Sequence, residues 1–224
     1  MPKAVIFDVD GTLIDTVRLH AQAWADTFRK YGVEVSVDRV RGQIGKGGDQ
    51  LMPEFLDAEM IENKGEEIEK SRSDLFKRQY LPDARGFPRV RELFQKIRSD
   101  GSKIALASSC KADELGGYMD LAGIADLVDA KTTSDDADRS KPFPDIFEAA
   151  LDRLDGIEAA DAVVVGDSPY DAEAAGKAGL KTVGLLSGGF SEDELRRAGC
   201  VAIYRDPEDL LRNFDSSPLA NTTG

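Results

Sequence analysis

Apolar residues in this chain come in short blocks that stop abruptly at Asp, Gly or Ser. The first block, Ala4-Val5-Ile6-Phe7, contains no polar position, which predicts a central parallel strand covered on both faces. Comparable blocks return at Lys103–Ala107, Leu127–Val128, Ala162–Val165, Lys181–Leu185 and Val201–Tyr204. Between most of them the spacing turns helical. Val90, Leu93, Phe94 and Ile97 recur at i, i+3, i+4 and i+7, and Gly101 supplies the stop. Ile146, Phe147, Ala150, Leu151 and Leu154 repeat that pattern ahead of Gly156. Asp206-Pro207 marks a late helix start, a cap followed by proline at the first helical position. Such alternation predicts βαβ units and a parallel sheet with helices on both faces.

One long segment breaks the alternation. From Thr16 to Tyr80 there is no convincing strand. Leu19, Ala23, Trp24 and Phe28 form one apolar stripe, and Ile68, Leu75, Phe76 and Tyr80 form another. A glycine-rich loop, Gly42 to Gly48, lies between them. The segment reads as a helical unit that leaves after the first strand and rejoins near Pro82–Pro88, held by two connections and able to rock as a lid. The expected organisation is an α/β protein with a Rossmann-like three-layer core over residues 1–15 and 83–215. A helical cap occupies 16–82, and a frayed tail covers the small polar residues 216–224.

Composition narrows the function classes. Hydrophobic content of 41% and charged content of 32% in 224 residues describe a soluble globular protein able to bury a core. A formal charge of -13 argues against nucleic acid, which needs a basic footprint, and against an anionic membrane surface. No apolar stretch approaches about 18 residues, and the N-terminal segment lacks the apolar core of a signal peptide. The expected compartment is the cytoplasm, with Cys110 and Cys200 as free thiols and a monomer as the default state.

The chemistry collects where the strands end. Asp8 falls at the C-terminal end of the first strand, where open α/β sheets place their ligands. Asp10 is two residues on, on the same face of extended chain, and Gly11 lets the backbone leave sharply. Two like charges this close call for a cation between them. The second strand runs out into Ser108-Ser109-Cys110. Lys141 precedes Pro142-Phe143-Pro144, whose rings fix an extended approach to the next helix and hold the ammonium at a defined place. The block Val163-Val164-Val165-Gly166 delivers Asp167, with Asp171 one turn later, placed equally well to cap the helix or to act as a ligand. In a parallel sheet these ends converge on one rim. Hard oxygen donors without a histidine cluster point to Mg2+, and lysine with hydroxyls beside it makes a pocket for a phosphoryl group.

Asp8-Val9-Asp10-Gly11-Thr12, Ser108, Lys141-Pro142 and Gly166-Asp167-Ser168 with Asp171 resemble the four motifs of the haloacid dehalogenase superfamily of hydrolases, in the phosphatase branch with a helical cap after the first strand. The resemblance extends over residues 3 to 213. It implies that Asp8 attacks phosphorus and forms an aspartyl-phosphate, while Asp10 protonates the leaving oxygen and later activates water. It also implies that Mg2+ is held by the Asp8 carboxylate, the Asp10 backbone carbonyl and Asp167, with Asp171 ordering their surroundings. Lys141 would neutralise phosphoryl charge, and Ser108, assisted by Ser109 and the amides after Asp8, would bind phosphoryl oxygens. Asp10 separates this chain from the family's dehalogenases and phosphonate-cleaving enzymes, which lack a carboxylate there: a leaving alkoxide needs a proton and a halide does not.

The implied substrate is a small phosphorylated metabolite; sugar phosphates, phosphoglycolate and nucleoside monophosphates all suit a capped pocket. Two cap residues are candidates for reading it. His20 is the only histidine, either facing the active-site rim or packing on the helix surface. Lys46, in Gly45-Lys46-Gly47-Gly48, either reaches the substrate's remote end or is a solvated loop lysine. The stretch from Asp8 through Asp15-Thr16 to His20 and Trp24 also resembles the β-phosphoglucomutase branch, which passes its phosphoryl group to a sugar. Those mutases usually carry a second acid where Gly166 stands, so Gly166 leans toward hydrolysis. A non-catalytic binding protein on the same fold is a third reading, although no motif carboxylate is missing.

Overall fold

In the computed structural model, which describes residues 2–220, strand β1 (Ala4–Phe7) runs through the centre of the molecule with all four residues buried. It leads into helices α1 (Val17–Lys30), α2 (Val37–Arg41), α3 (Gly48–Leu51) and α4 (Ala58–Leu75), the last continuing through a wider π-type turn, Phe76–Tyr80. After α5 (Val90–Ser99) strands and helices alternate: β2 (Lys103–Ala107), α6 (Ala112–Ala122), β3 (Ala130–Thr132), α7 (Asp145–Asp152), β4 (Ala162–Gly166), α8 (Pro169–Lys177), β5 (Lys181–Leu185), α9 (Glu192–Ala198), β6 (Cys200–Tyr204) and α10 (Pro207–Arg212).

The strands form one parallel sheet of order β3-β2-β1-β4-β5-β6. Alternate residues of β1 enter opposite layers, as the two-residue period of a strand requires. Val5 and Phe7 join a cluster with Leu106, Val165 and the α5 residues Leu93, Phe94 and Ile97. Ala4 and Ile6 join another with Ala105, Val164, Ile146 and Phe147. Phe7 and Phe94 rings pack 4.7 Å apart, and burying each such side chain contributes roughly 1.5–3 kcal/mol. Helices α1 to α4 and the loops between them have an apolar cluster of their own, built on Trp24, Phe28, Ile44, Leu51 and Ile68. The fold is thus the three-layer α/β arrangement with a parallel sheet. Phe7 pairs with Leu106 on one side and Val165 on the other, so the chain ends beyond all three strands emerge together.

Two expectations fail. The strand placed at Leu127–Val128 forms instead at Ala130–Thr132; Leu127 and Val128 pack partly buried against the core. The Asp129 carboxylate accepts from the Ile104 amide and from Arg98, which sets the register so that Ala130 pairs with Ala105. The tail is not frayed from Ser216 onward: Leu219 and Ala220 are buried in the cluster that contains Phe94, and Ser217 is buried beside them. Two apolar side chains with a dry face to cover outweigh the small polar residues around them. The rest of that tail, 221–224, lies outside the described residues.

Candidate active site

Asp8 follows β1 directly and keeps the sheet's register, its amide donating to the Val165 carbonyl at 2.9 Å. The chain then folds back, with the Thr12, Leu13 and Ile14 amides all reaching the Val9 carbonyl. Gly11 makes this possible in two ways: its φ is 84°, and a Cβ there would stand 2.3 Å from Asp167 Oδ2. Thr12 is thereby set between two carboxylates, its hydroxyl 3.2 Å from Asp8 Oδ2 and 2.9 Å from Asp167 Oδ1.

Lys141 is fully buried beneath them. Its ammonium lies 2.6 Å from Asp8 Oδ1 and 2.8 Å from Asp171 Oδ1, and it donates to the Ala107 carbonyl at 3.1 Å. It thus makes two hydrogen bonds, to Asp8 and Ala107, and an ion pair with Asp171, whose Oδ1 is buried with no hydrogen bond of its own. Burial opposes the ammonium, but Asp171 and Asp8 outweigh that and raise its pKa. Asp171 also accepts from the Ser168 hydroxyl and amide, closing a capping box at the start of α8. It therefore caps the helix and pairs with Lys141 at once.

Carboxylate oxygens of Asp8, Asp167 and Asp171 lie within 4.8 Å of one another, all three residues buried. One lysine cannot balance three acids. Burial, with Asp171 and Asp10 close by, pushes Asp8 up to about 7 against the pull of Lys141. Burial and the charges of Asp8 and Asp171 raise Asp167 well above the carboxylate range. A crowded, all-oxygen, proton-holding cluster is what a small divalent cation relieves, so the residues fit a magnesium site.

Asp10 does not join that cluster through its carboxylate. Its Oδ1 accepts from Thr16 at 2.6 Å and lies 3.0 Å from His20 Nε2. Burial disfavours its charge, but His20 and Thr16 prevail and lower its pKa. His20 is itself buried, stacked on Phe76 with centroids 3.9 Å apart, and Tyr118 Oη is 3.4 Å from Nε2. Of the two positions open to His20, the structure gives it the one on the cavity wall.

A cavity of about 460 Å³ opens above Asp8 and Asp10, lined from below by Ser109 and Cys110 and from the helical side by Trp24, Lys46 and α4. Ser108 is buried behind that wall, and its hydroxyl accepts from the Cys110 amide at 3.1 Å. Lys46 borders the cavity, but its ammonium is held by Gln43 at 2.6 Å and Glu54 at 2.8 Å, above the Tyr170 ring. The glycine loop closes on the core here. Tyr170 donates to the Gly42 carbonyl at 2.6 Å, and a Cβ on Gly47 would stand 2.0 Å from Ser140 Oγ. Sequence reasoning missed Thr16, Tyr118, Tyr170 and Arg72 as members of the site. Two carried a signal: Tyr170 by its place beside Asp171, and Thr16 by its place in the stretch from Asp8 to Trp24.

A buried acid cluster with a lysine, at the strand ends of a parallel sheet and under a helical unit, defines a class of phosphoryl-handling hydrolase. Residues 5–185 match the family model of haloacid dehalogenase-like hydrolases, and the chain belongs to that family. It is 30% identical over 210 residues to the phosphorylated carbohydrates phosphatase of Thermotoga maritima, covering 93% of this chain and 96% of that one. It is 28% identical to the phosphoglycolate phosphatase of Rhodospirillum rubrum, covering 92% and 88%. SUPPRESSOR OF QUENCHING 1 of Arabidopsis thaliana is 30% identical over 215 residues, but the chain spans only 20% of that protein's length. Among solved structures, a hydrolase from Pseudomonas syringae superposes with a TM-score of 0.86 at 27% identity, covering 96% of this chain and 99% of that one. The chain is an enzyme, a phosphoric monoester hydrolase of this family. No helix among the described residues is long and apolar enough to cross a membrane.

Proposed function

We propose that the protein hydrolyses small phosphorylated metabolites through an aspartyl-phosphate on Asp8, with Mg2+ as cofactor. The observation that carries this reading is the buried Lys141 ammonium 2.6 Å from Asp8 at the floor of the cavity, inside an acid cluster with too few cations. Asp8, Asp167 and the Asp10 backbone carbonyl would hold the magnesium, which when bound neutralises phosphoryl charge. An Asp8 oxygen forms a bond to phosphorus as the bond to the substrate oxygen breaks, and the Asp10 carboxyl gives that oxygen its proton. To do so Asp10 leaves Thr16 and His20, which hold its carboxylate in the resting arrangement, and takes up a proton from solvent before the first turnover; the proton returned in the second half-reaction serves the next. Water then attacks the same phosphorus, its proton returns to Asp10, and inorganic phosphate departs as the Asp8 carboxylate re-forms. Lys141 keeps Asp8 oriented throughout, and Ser109 on the cavity wall, with Ser108 behind it, belongs to the phosphoryl pocket.

Hydrolysis is favoured over transfer to a sugar by Gly166. A Cβ there would lie 2.6 Å from Asp171 Cγ, which leaves no room for a second acid beside Asp167. The relatives named for phosphorylated carbohydrates and phosphoglycolate set the substrate range to test. Free, buried Cys110 and Cys200 suit the cytoplasm. The test is phosphate release from a panel of phosphorylated metabolites with magnesium and with EDTA. Release from a few esters, abolished by EDTA, is expected. Isomerisation of β-glucose 1-phosphate without release would transfer the assignment to a mutase, and silence on both would overturn this reading of the substrate range.

A further inference from the structure

The cavity wall carries a cation that no acid or hydrogen-bond acceptor meets among the described residues. Its lysines are all committed. Lys46 pairs with Glu54 at 2.8 Å and Lys70 with Asp74 at 2.6 Å. Lys77 pairs with Asp113 at 2.8 Å and Lys111 with Asp135 at 3.0 Å. Arg72, on the α4 face that borders the cavity, makes neither an ion pair nor a side-chain hydrogen bond among the described residues, and its Nε is buried without a partner. The guanidinium lies over the Trp24 ring at 5.0 Å, and Trp24 borders the same cavity. A buried N–H without an acceptor is costly, and native structures ordinarily satisfy it. Here the ring backs the guanidinium, and none of its N–H groups has an acceptor among the described residues.

We propose that Arg72 recognises a second anionic group on the substrate, a carboxylate or a phosphate set apart from the phosphoryl group that Asp8 attacks. A guanidinium fork matches either anion with two parallel hydrogen bonds, whereas a hydroxyl can meet only one of its N–H groups. The position is selective as well as attractive. Glu66 and Glu69 stand on the same wall, and Asp8 and Asp10 form the floor. The lining lysines are paired with acids, so among the described residues Arg72 is the lining cation left without an acidic partner to meet a second anion. Specificity is thereby placed on Arg72 and not on Lys46, whose charge Glu54 already neutralises. This inference rests on the hydrolase reading above.

The test compares matched esters by kcat/KM: 3-phosphoglycerate against glycerol 3-phosphate for a carboxylate, and fructose 1,6-bisphosphate against fructose 6-phosphate for a phosphate. The wild-type enzyme should prefer the doubly anionic member of at least one pair by roughly tenfold to a hundredfold, the range of a charge-assisted bidentate contact. The pair that shows the preference identifies the anion. Arg72→Gln should bring that ratio close to one, chiefly by raising KM for the anionic ester. Arg72→Lys, which keeps the charge but loses the fork, should give an intermediate ratio, and it carries the test alone if Arg72→Gln does not fold. A wild-type ratio near one on both pairs, or a ratio unmoved by either variant, overturns the inference while magnesium-dependent release leaves the hydrolase reading standing. No release from any ester by the wild-type protein overturns both.

Discussion

Lys141 and Asp8 do opposite things to stability, and two substitutions should separate them. Removing the ammonium by Lys141→Met leaves Asp8, Asp167 and Asp171 buried together without a cation, at a cost of about 3–5 kcal/mol in thermal or denaturant unfolding. Asp8→Asn deletes one of the crowded acids and should abolish turnover while the melting temperature stays level or rises. Retained phosphate release by that variant would remove Asp8 from the chemistry. A pH dependence follows from the same crowding. Asp8 stands at about 7 in the folded chain against 3.8 ordinarily, so the folded state binds the proton more tightly. On its account, stability is greatest at low pH and is lost as pH rises from about 4 through 7. Magnesium competes with that proton, so its stabilising shift in Tm should be larger at pH 8 than at pH 5.5; an equal shift at both would contradict the metal assignment. At this scale the sequence was most readable where a residue's position along the chain sets its place in space. Asp8, Asp10 and Asp167 sit at strand ends, and the spacing alone brings them to one rim. His20 against Asp10 and Arg72 over Trp24 were unreadable, because the first depends on how α1 folds back over the turn after β1 and the second on how α1 packs on α4.

Among the elements, the loop between α2 and α3 carries a sharper test than any helix. Its glycines are there because the core surface comes within touching distance, with Ser140 Oγ 2.0 Å from a Cβ on Gly47 and Ser168 Oγ 2.6 Å from one on Gly45. Gly47→Ala should therefore hold the loop off the core and raise KM roughly tenfold with little change in melting temperature, since no apolar burial is lost. Pairing it with Ser140→Gly should restore KM; failure of that rescue would locate the effect elsewhere. The glycine cluster was visible in the sequence, but the surface it touches was not. The displaced third strand has a similar cause. Hydropathy pointed to Leu127–Val128, the apolar residues, whereas an edge strand of three residues was positioned by the hydrogen bonds of Asp129. Periodicity was dependable for the central strands and α5, whose buried faces leave no alternative register.

The molecule as a whole couples two apolar clusters through an acid-floored cavity. One cluster covers the α5 face of the sheet and the other holds α1 to α4 together, and the two chain connections between them run close to Asp10, Thr16 and the Ile14–Gly86 bridge. Hydrogen exchange should accordingly be slowest in β1 and β4 and faster in α2 and α3, which bury few residues. The alternation of strands and helices made the core architecture legible from hydropathy alone. Which end of the tail would pack was not, because Leu219 and Ala220 find their partners only once the sheet has formed. The central claim is that phosphate passes through a covalent bond to Asp8. It is tested most directly by acid-quenching the enzyme during turnover of its best ester and locating phosphate by peptide mass spectrometry. Phosphate on the peptide containing Asp8, formed with magnesium and absent both with EDTA and in Asp8→Asn, is the predicted result. Turnover with no phosphorylated peptide, or with phosphate on another residue, would contradict the account.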